Sequence, residues 1–400
     1  MNAFSNPAVA APPETLLNRP FLLVLMVAAV FGFSFSSFFL LPKFLSVALA
    51  ADAVSIGSIT TLFWLASALT VPYIGGLIDR HGRKRYALIG ALILALSCIG
   101  FVWVDSLGPL IWLLRILQGI GFTLFLVALS TLAVDLAPPA RLGQALGIFG
   151  AVMILTNAAG PAFAEWTSAH YGWQPVFVAA AAAALLAALL CRLLPEQRLL
   201  LADTRHATLW QVLRRPGIGP IILVSAMVGW VFGTLFTFYQ PWALSLGIEQ
   251  VASYFIAYAV VAVTIRIFFG DLPDRLGRLR VVRASLLLYV LTPLALVWLD
   301  QLNLYVAGAI LGLTQGVYYP ALNAVAIDCA TPQERGKVMA AYSGAFNFGL
   351  AAAGLILGHL VLAMGYRSVF AFASVISLVA FALLAVTPQR HFRPAPMTPE

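Results

Sequence analysis

The sequence predicts an all-α membrane protein whose twelve transmembrane helices form two pseudo-symmetric six-helix bundles. The first observation is composition: 62% of the 400 residues are hydrophobic and 10% are charged, whereas soluble domains carry about 25% charged residues. The second is a series of long apolar runs, because a helix needs about 20 apolar residues to cross the core of a bilayer. The third is a charged turn that returns, weakened, about half a chain later.

Each apolar run of the required length is a predicted span, numbered one to twelve in chain order. The first six lie at about 20–48, 54–78, 86–104, 108–134, 143–167 and 175–194. The second six lie at about 217–244, 251–272, 282–299, 303–327, 337–362 and 367–387. The predicted domains are an N-terminal tail (1–19), a first bundle (20–194), a polar linker (195–216), a second bundle (217–388) and a C-terminal tail (389–400).

The Lys and Arg residues of the short loops predict the orientation. Most of them fall on one side of the predicted membrane, as in the cluster from Arg80 to Arg85, while Arg367 is the one clear loop cation on the other side. Cytoplasmic loops carry the excess of Lys and Arg, so we expect both termini to be cytoplasmic. Short loops and an excess of Arg over Lys are typical of a bacterial chain, which predicts the inner membrane.

Composition and motifs also exclude several classes of protein. The net charge of +8 comes from cations placed between apolar runs rather than on one basic face, which argues against nucleic-acid binding. The three cysteines lack CxxC spacing, and no HExxH, GxSxG or phosphate-binding loop occurs. We therefore expect no catalytic residue, no metal and no cofactor. An intramembrane enzyme or a sensor is a remote alternative, since clustered acids and a large soluble domain are both missing.

The recurring turn runs from Gly75 to Arg85 and returns from Gly270 to Arg278. Gly82 permits a tight turn, and Asp79 can accept hydrogen bonds from a helix N-terminus or from Arg83. Asp135 ends span four on the same side, where it can share Arg83. The repeat continues elsewhere, because Gln118-Gly119 in span four is matched by Gln315-Gly316 in span ten, and Asp135 is matched by Asp328. Two six-helix halves of this kind are one of the transporter architectures.

At these residues the chain resembles the major facilitator superfamily, over nearly its whole length. The signature of that family's second-to-third helix loop is matched at Gly75, Leu77, Asp79, Arg80, Gly82, Arg83 and Lys84. The pattern Arg115-x-x-Gln118-Gly119-x-Gly121 resembles the fourth-helix signature of proton-coupled members. Gly160-Pro161 resembles part of the exporters' fifth-helix signature, although Thr156, Ala164 and Glu165 replace glycines of that pattern.

The resemblance implies a charged latch that holds the two halves together in the outward-facing state. Its expected members are Gly75, Asp79, Arg80, Gly82, Arg83 and Asp135, with a weaker twin at Asp274, Arg275, Arg278 and Asp328. It also implies that spans one, four, seven and ten line the substrate cavity. The expected cavity residues are Phe35, Phe38, Gln118, Tyr239, Gln240, Gln315, Tyr318, Tyr319 and Asn323, with Asn347 of span eleven beside them.

Ionisable groups within spans are costly and are therefore functional candidates. Arg115 is expected to bind an anionic substrate group or to control a proton-carrying acid. Glu165 and His359 are candidate proton carriers, since burial favours the neutral form of a carboxyl group. Arg266 is a further coupling candidate, with a contact to Asp271 of the latch favoured over a substrate contact. Lys43 is expected to reach the outer membrane surface, with a cavity role as the alternative.

These features predict a secondary transporter of small organic solutes that works by alternating access. The fourth- and fifth-helix resemblances favour proton-coupled efflux of drugs or metabolites. The alternative is a proton symporter or facilitator for uptake of a sugar or an organic anion. The expected partners are a small-molecule substrate, protons and the lipid bilayer, with no nucleic acid, and the chain is expected to be a monomer.

Overall fold

The computed structural model describes residues 16–138, 141–195, 217–330 and 335–392. The side chains of eight residues within those ranges also fall outside the description: Gly75, Gly76, Asp79, Arg80, Arg335, Gly336, Arg390 and His391. Most of the predicted tails (1–19 and 389–400) and linker (195–216) lies outside the described residues, and the domain boundaries stay a prediction.

Helices account for all six predicted spans of the first half. Span one comprises Arg19–Ser37, the 3-10 turn Phe38–Leu40 and Leu41–Ala48. Spans two to six are Ala53–His81, Arg83–Gly100 with the 3-10 turn Phe101–Trp103, Pro109–Asp135, Leu142–Tyr171 and Trp173–Cys191. Polar caps begin two of these spans, because Asn18 and Asp52 accept hydrogen bonds from the backbone N–H groups of Phe21 and Ser55.

The second half repeats this order. Spans seven and eight are Ile218–Ser245 and Ser253–Phe269, followed by the short helix Leu272–Leu276. Span nine comprises Arg278–Tyr289 and Leu291–Val297, and span ten is Gln301–Asp328. Spans eleven and twelve are the two parts of the helical stretch Arg335–Val386, which is interrupted at Gly365, and the 3-10 turn Gln389–Phe392 follows.

Nine helices of the described ranges are long and apolar enough to cross a bilayer. One of them, Lys337–Val386, contains both of the last two spans, which meet at the non-helical Gly365. The shorter apolar helix Ser253–Phe269 and the helix Gln301–Asp328 supply the remaining two. The predicted all-α architecture of twelve spans is therefore confirmed.

Three spans are interrupted four residues before a proline, although the sequence predicted each as one continuous helix. The interruptions fall at Phe38, Phe269 and Tyr289, and the prolines are Pro42, Pro273 and Pro293. Proline has no N–H to donate to the carbonyl group four residues earlier, and its ring clashes with that carbonyl. The helix therefore tightens or ends at those positions.

Glycines make equivalent turns in the two halves. Gly82 and Gly277 have φ angles of 91° and 93° between spans two and three and between spans eight and nine. Gly172 and Gly365, at 81° and 78°, do the same before spans six and twelve. Such left-handed angles are strained for other residues, so these turns preserve the repeat that the charged motif indicated.

Two hydrophobic cores underlie the two halves. One is built only from residues between Leu16 and Leu194. The other is built mainly from residues between Ile218 and Leu384, with a few from the first half, such as Leu40 and Ala53. The halves contact each other mainly where span two meets span eleven and where span five meets span eight. At the first of these contacts, a Cβ on Gly57 would lie 2.1 Å from the carbonyl oxygen of Gly354.

Candidate functional site

Two arginine–aspartate pairs lie at one end of the bundle, which we call the Arg83 end. Arg83 begins span three and forms an ion pair with Asp135, at the end of span four, and both side chains are about nine-tenths buried. The turn residue Gly82 directly precedes Arg83. The side chains of the other expected members, Gly75, Asp79 and Arg80, lie outside the described part of the structure.

The twin in the second half is a carboxylate–arginine–carboxylate cluster. Arg278 donates from Nε to Asp274 Oδ1 at 2.9 Å and from Nη1 to Asp328 Oδ2 at 2.7 Å. The side chains of Arg278 and Asp328 are 39% and 42% exposed, so this cluster is much more accessible to solvent than the Arg83–Asp135 pair. Arg275 pairs with Asp271 instead. Both the Arg83 and Arg278 pairs join helices of a single half.

The opposite end, which we call the Glu165 end, is held by contacts between the halves. Glu165 of span five accepts hydrogen bonds from the backbone N–H groups of Val251 and Ala252 at 2.9 and 3.0 Å. Lys43 of span one lies 2.8 Å from the same carboxylate, and its Nζ also donates to the carbonyl oxygen of Glu249 at 2.6 Å. We call these five residues the Glu165 clamp.

Lys43 therefore does not extend freely to the membrane surface, since its ammonium group is engaged in this clamp and its side chain is 14% exposed. Sequence reasoning missed the clamp because two of its donors are backbone N–H groups, which no side-chain pattern shows. A second bond to span one lies beside it. Gln240, expected in the cavity, is fully buried and donates from Nε2 to the carbonyl oxygen of Phe39 at 2.7 Å.

A small cavity of about 40 Å³ lies next to the clamp. It is lined by Phe35, Phe38, Phe39, Leu41, Pro42, Thr60, Phe63, Trp64, Arg115 and Phe236. Phe35 and Phe38 were expected there from the sequence. Phe63 and Trp64 were missed, because the resemblance assigned the cavity to spans one, four, seven and ten, and these two lie in span two. The i, i+4 pair Phe35 and Phe39 was the signal for a continuous aromatic face in span one.

Arg115 is the charged group of this cavity wall. Its side chain is buried, its Nη1 donates to Gln118 Oε1 at 2.7 Å, and its Nε donates to the carbonyl oxygen of Ile59 at 3.4 Å. The guanidinium carbon lies 4.7 Å from the centre of the Phe63 ring, which is a cation–π contact. The i, i+3 spacing of Arg115 and Gln118 along span four places them on one helix face.

The expected cavity residues of the second half lie elsewhere. Gln315, Tyr318, Tyr319 and Asn323 are buried or half-buried in span ten, and none of them lines the Arg115 cavity. Tyr239 donates its hydroxyl to the carbonyl oxygen of Val251 at 3.0 Å. Asn347 instead joins the halves, since its Nδ2 donates to Ser67 Oγ at 3.2 Å.

Two coupling candidates differ from expectation. Asp271 pairs with Arg275, and Arg266 points instead at span five, where its Nη1 would lie 2.4 Å from a Cβ built on Gly150. The predicted contact between Arg266 and Asp271 is therefore not formed. His359 is exposed, and its Nδ1 lies 3.2 Å from the carbonyl oxygen of Leu355, so its ring faces away from the interior.

Comparisons with known proteins agree with this architecture. The family model described as Major Facilitator Superfamily matches residues 22–306 and 249–398. The "Uncharacterized MFS-type transporter YhhS" of Salmonella enteritidis PT4 is 26% identical over 94% of this chain and 95% of its own length. Multidrug resistance protein 2 of Bacillus subtilis is 24% identical over 62% of this chain, which spans 64% of that protein.

Solved structures show the same fold at low sequence identity. The crystal structure of the human organic anion transporter MFSD10 (TETRAN) has a TM-score of 0.73 at 19% identity, covering 94% of this chain and all of that one. The nucleoside transporter NupG has a TM-score of 0.73 at 15% identity, covering 92% of this chain and 99% of its own.

Proposed function

The chain belongs to the major facilitator superfamily and is thus a secondary transporter rather than an enzyme; from that premise we propose that it exports small organic solutes by proton-coupled alternating access. The observation that carries the proposal is the Glu165 clamp. It ties span five and span one of the first half to the start of span eight in the second. The structure is thus closed at the Glu165 end, and transport requires that the clamp break.

The chemistry of the clamp links its opening to a proton. A carboxylate accepts hydrogen bonds from charged and neutral donors, and charge-assisted bonds are about twice as strong as neutral ones. Protonation of Glu165 removes the charge that attracts Lys43 and the two N–H groups. Lys43 and the Tyr239 phenol are the titratable side chains that face this carboxylate in the described structure. The clamp forms again only when Glu165 has lost its proton, which couples proton movement to the conformational cycle.

The orientation and direction of transport complete the proposal. The excess of Lys and Arg in the loops supports a cytoplasmic Arg83 end, with the Glu165 end on the outer side of the inner membrane. The Arg83–Asp135 and Arg278–Asp328 pairs then lie at the cytoplasmic end, each within one half. Similarity to a Bacillus multidrug resistance protein supports efflux over uptake.

Everted membrane vesicles carrying the protein test this function. We expect that adding a transported solute to vesicles with an acidic interior dissipates the pH gradient, because each solute entering the vesicle is exchanged for a proton leaving it. Glu165→Gln should abolish this proton movement. Solute accumulation that is unaffected by collapsing the pH gradient would contradict proton coupling, and proton movement in the same direction as the solute would reverse the proposal to uptake.

A further inference from the structure

Arg115 is a buried cation without an acidic partner in the described structure. Its contacts are a side-chain amide oxygen, a backbone carbonyl oxygen and an aromatic ring. Removing a charge from water costs several kcal/mol even after relaxation, so a buried charge normally has a counter-ion. Neutral acceptors offset only part of that cost. The site therefore favours the arrival of an anion.

The acids of spans four and five are already engaged. Glu165 accepts bonds from Lys43 and from two backbone N–H groups, which occupies both of its oxygens. Asp135 pairs with Arg83 at the far end of span four, about twenty residues from Arg115 along a rising helix, or roughly 30 Å. In the part of the chain that the structure describes, no carboxylate pairs with Arg115, so an anion must come from outside the protein.

The guanidinium group has donors to offer such an anion. Arginine carries five N–H donors in a planar fork, and the contacts to Gln118 and Ile59 account for two of them. Arg115 also lines the cavity directly. A planar fork favours carboxylate, sulfonate and phosphate groups, because it can donate two parallel hydrogen bonds to them.

The rest of the cavity wall selects the body of the ligand. Phe35 stacks against the rings of both Phe63 and Phe122, with centroid distances of 5.5 and 4.3 Å. Trp64 packs edge-on against Phe63 at 4.8 Å. Aromatic rings pair favourably in stacked and edge-on arrangements of this kind. The wall thus suits a flat, apolar group attached to the anionic one.

The volume of the cavity depends on how closely the two halves approach each other. Nearly all of its wall belongs to the first half, and Phe236 is the one residue of the described second half that lines it. Phe39 closes against Phe236 and Phe255, with centroid distances of 5.2 Å in both cases. The present volume of about 40 Å³ has room for water but not for an aromatic solute. Separation of the halves moves Phe236 away and enlarges the site.

We propose that Arg115 and the aromatic wall of spans one and two form a binding site for aromatic organic anions, which is open when the halves separate. This proposal rests on the transport function above and names the class of solute. The chain offers its own control in Arg283, which donates to the carbonyl oxygens of Leu384 and Thr387 and does not line the cavity.

Titration calorimetry of the full-length protein in lipid nanodiscs tests the site with benzenesulfonate and its neutral isostere benzenesulfonamide. We expect the sulfonate to bind at least about tenfold more tightly, because charge-assisted bonds replace neutral ones. Arg115→Gln should remove this preference, Arg115→Lys should retain part of it, and Arg283→Gln should leave it unchanged. The titration is repeated with the Glu165→Gln protein. Its clamp is weakened, so the site is accessible in this variant even if the closed state of the wild type masks it.

Equal affinity for the two probes, or no sulfonate binding in either the wild type or Glu165→Gln, would overturn the site. A sulfonate preference that survives Arg115→Gln would overturn the role of Arg115. The transport proposal fails separately. Sulfonate binding without coupled proton movement in vesicles contradicts coupled efflux and leaves the site intact, whereas coupled movement of other solutes without sulfonate preference contradicts the site alone.

Discussion

Lys43 Nζ lies 2.8 Å from Glu165 Oε1, and each of the two groups also bonds to the opposite half of the molecule. The two residues come from spans one and five of the first half, so the pair by itself cannot hold the halves together. Its effect depends on the backbone of residues 249–252, which supplies one carbonyl oxygen and two N–H groups. The ion pair thus presents both signs of charge to one short stretch of backbone.

Removing the charge of Glu165 should open this end. Glu165→Gln keeps the shape of the side chain but loses the charge-assisted bonds to Lys43 and the two N–H groups. We expect an increase of about tenfold or more in the labelling rate of a cysteine placed in the seam at this end, measured with a membrane-impermeant maleimide.

Glu249→Gln is the matched control for that experiment. Glu249 contributes its backbone carbonyl to the clamp, and its side chain has no bond to Lys43 or Glu165 in the described structure. Labelling should therefore remain at the wild-type rate. Equal labelling of the two variants would show that the clamp does not close this end.

The two arginine–aspartate pairs should differ in their contribution to stability. Asp135→Asn removes the carboxylate charge that pairs with the buried Arg83, and breaking a buried pair costs about 3–5 kcal/mol. Asp328→Asn removes a partner from a pair that is about 40% exposed, for which the loss is about 0–1 kcal/mol. Thermal unfolding in detergent should show a much larger fall in Tm for Asp135→Asn, and equal falls would contradict this assignment.

Close contact of the halves at Gly57 should also be testable. An alanine Cβ at this position would lie 2.1 Å from the carbonyl oxygen of Gly354 in span eleven, so span two must move away. We expect Gly57→Ala to weaken the closed state by about 1–3 kcal/mol and to increase labelling at the Glu165 end.

Gly344→Ala controls for the gain in helix propensity, since a Cβ at Gly344 meets nothing within 4 Å. Both changes replace a helical glycine by alanine, which by itself is worth about 1 kcal/mol in favour of the helix. A difference in labelling between the variants therefore reports the contact of spans two and eleven, and identical behaviour would exclude it.

Asp52 should stabilise span two in a pH-dependent way. Hydrogen bonds from the backbone N–H and the side chain of Ser55 lower the pKa of Asp52 below its ordinary range. Because the pKa is lower in the folded protein, the stabilisation is complete at a pH above the pKa of the unfolded state. It is lost as the pH falls through the pKa of the folded state. Asp52→Ala should cost about 1 kcal/mol at neutral pH.

The difference in Tm between the wild type and Asp52→Ala should therefore be constant at neutral pH and shrink below about pH 4. Asp52→Asn should keep most of the stability both at neutral pH and below about pH 4, because asparagine is an equally good N-cap residue. An Asp52→Ala deficit that persists in acid would show that the carboxylate charge is not involved.

Several parts of the architecture were readable from local sequence. Apolar length predicts each span, because a bilayer imposes the same minimum on every crossing helix. The turns at Gly82 and Gly277 were visible as a repeated motif. The partnership of Arg83 with Asp135 was expected from their places at the ends of adjacent spans.

Other features depended on distances that no local pattern contains. Arg266 was expected near Asp271, five positions away, yet it faces Gly150 in another half of the molecule. The cavity includes Phe63 and Trp64 of span two, because the interdigitation of spans one, two and four decides which rings meet. Side-chain packing of this kind is a property of the assembled bundle.

The sequence by itself therefore determined the twelve spans, their repeat and the family, since these follow from hydropathy, glycine turns and short charged motifs. Tertiary structure alone decided that Glu165 and Lys43 act on the backbone of residues 249–252 and that Arg115 lacks an acidic partner among the described residues. The physical reason is that a charge within a bilayer is defined by what surrounds it, and its surroundings come from helices remote in sequence.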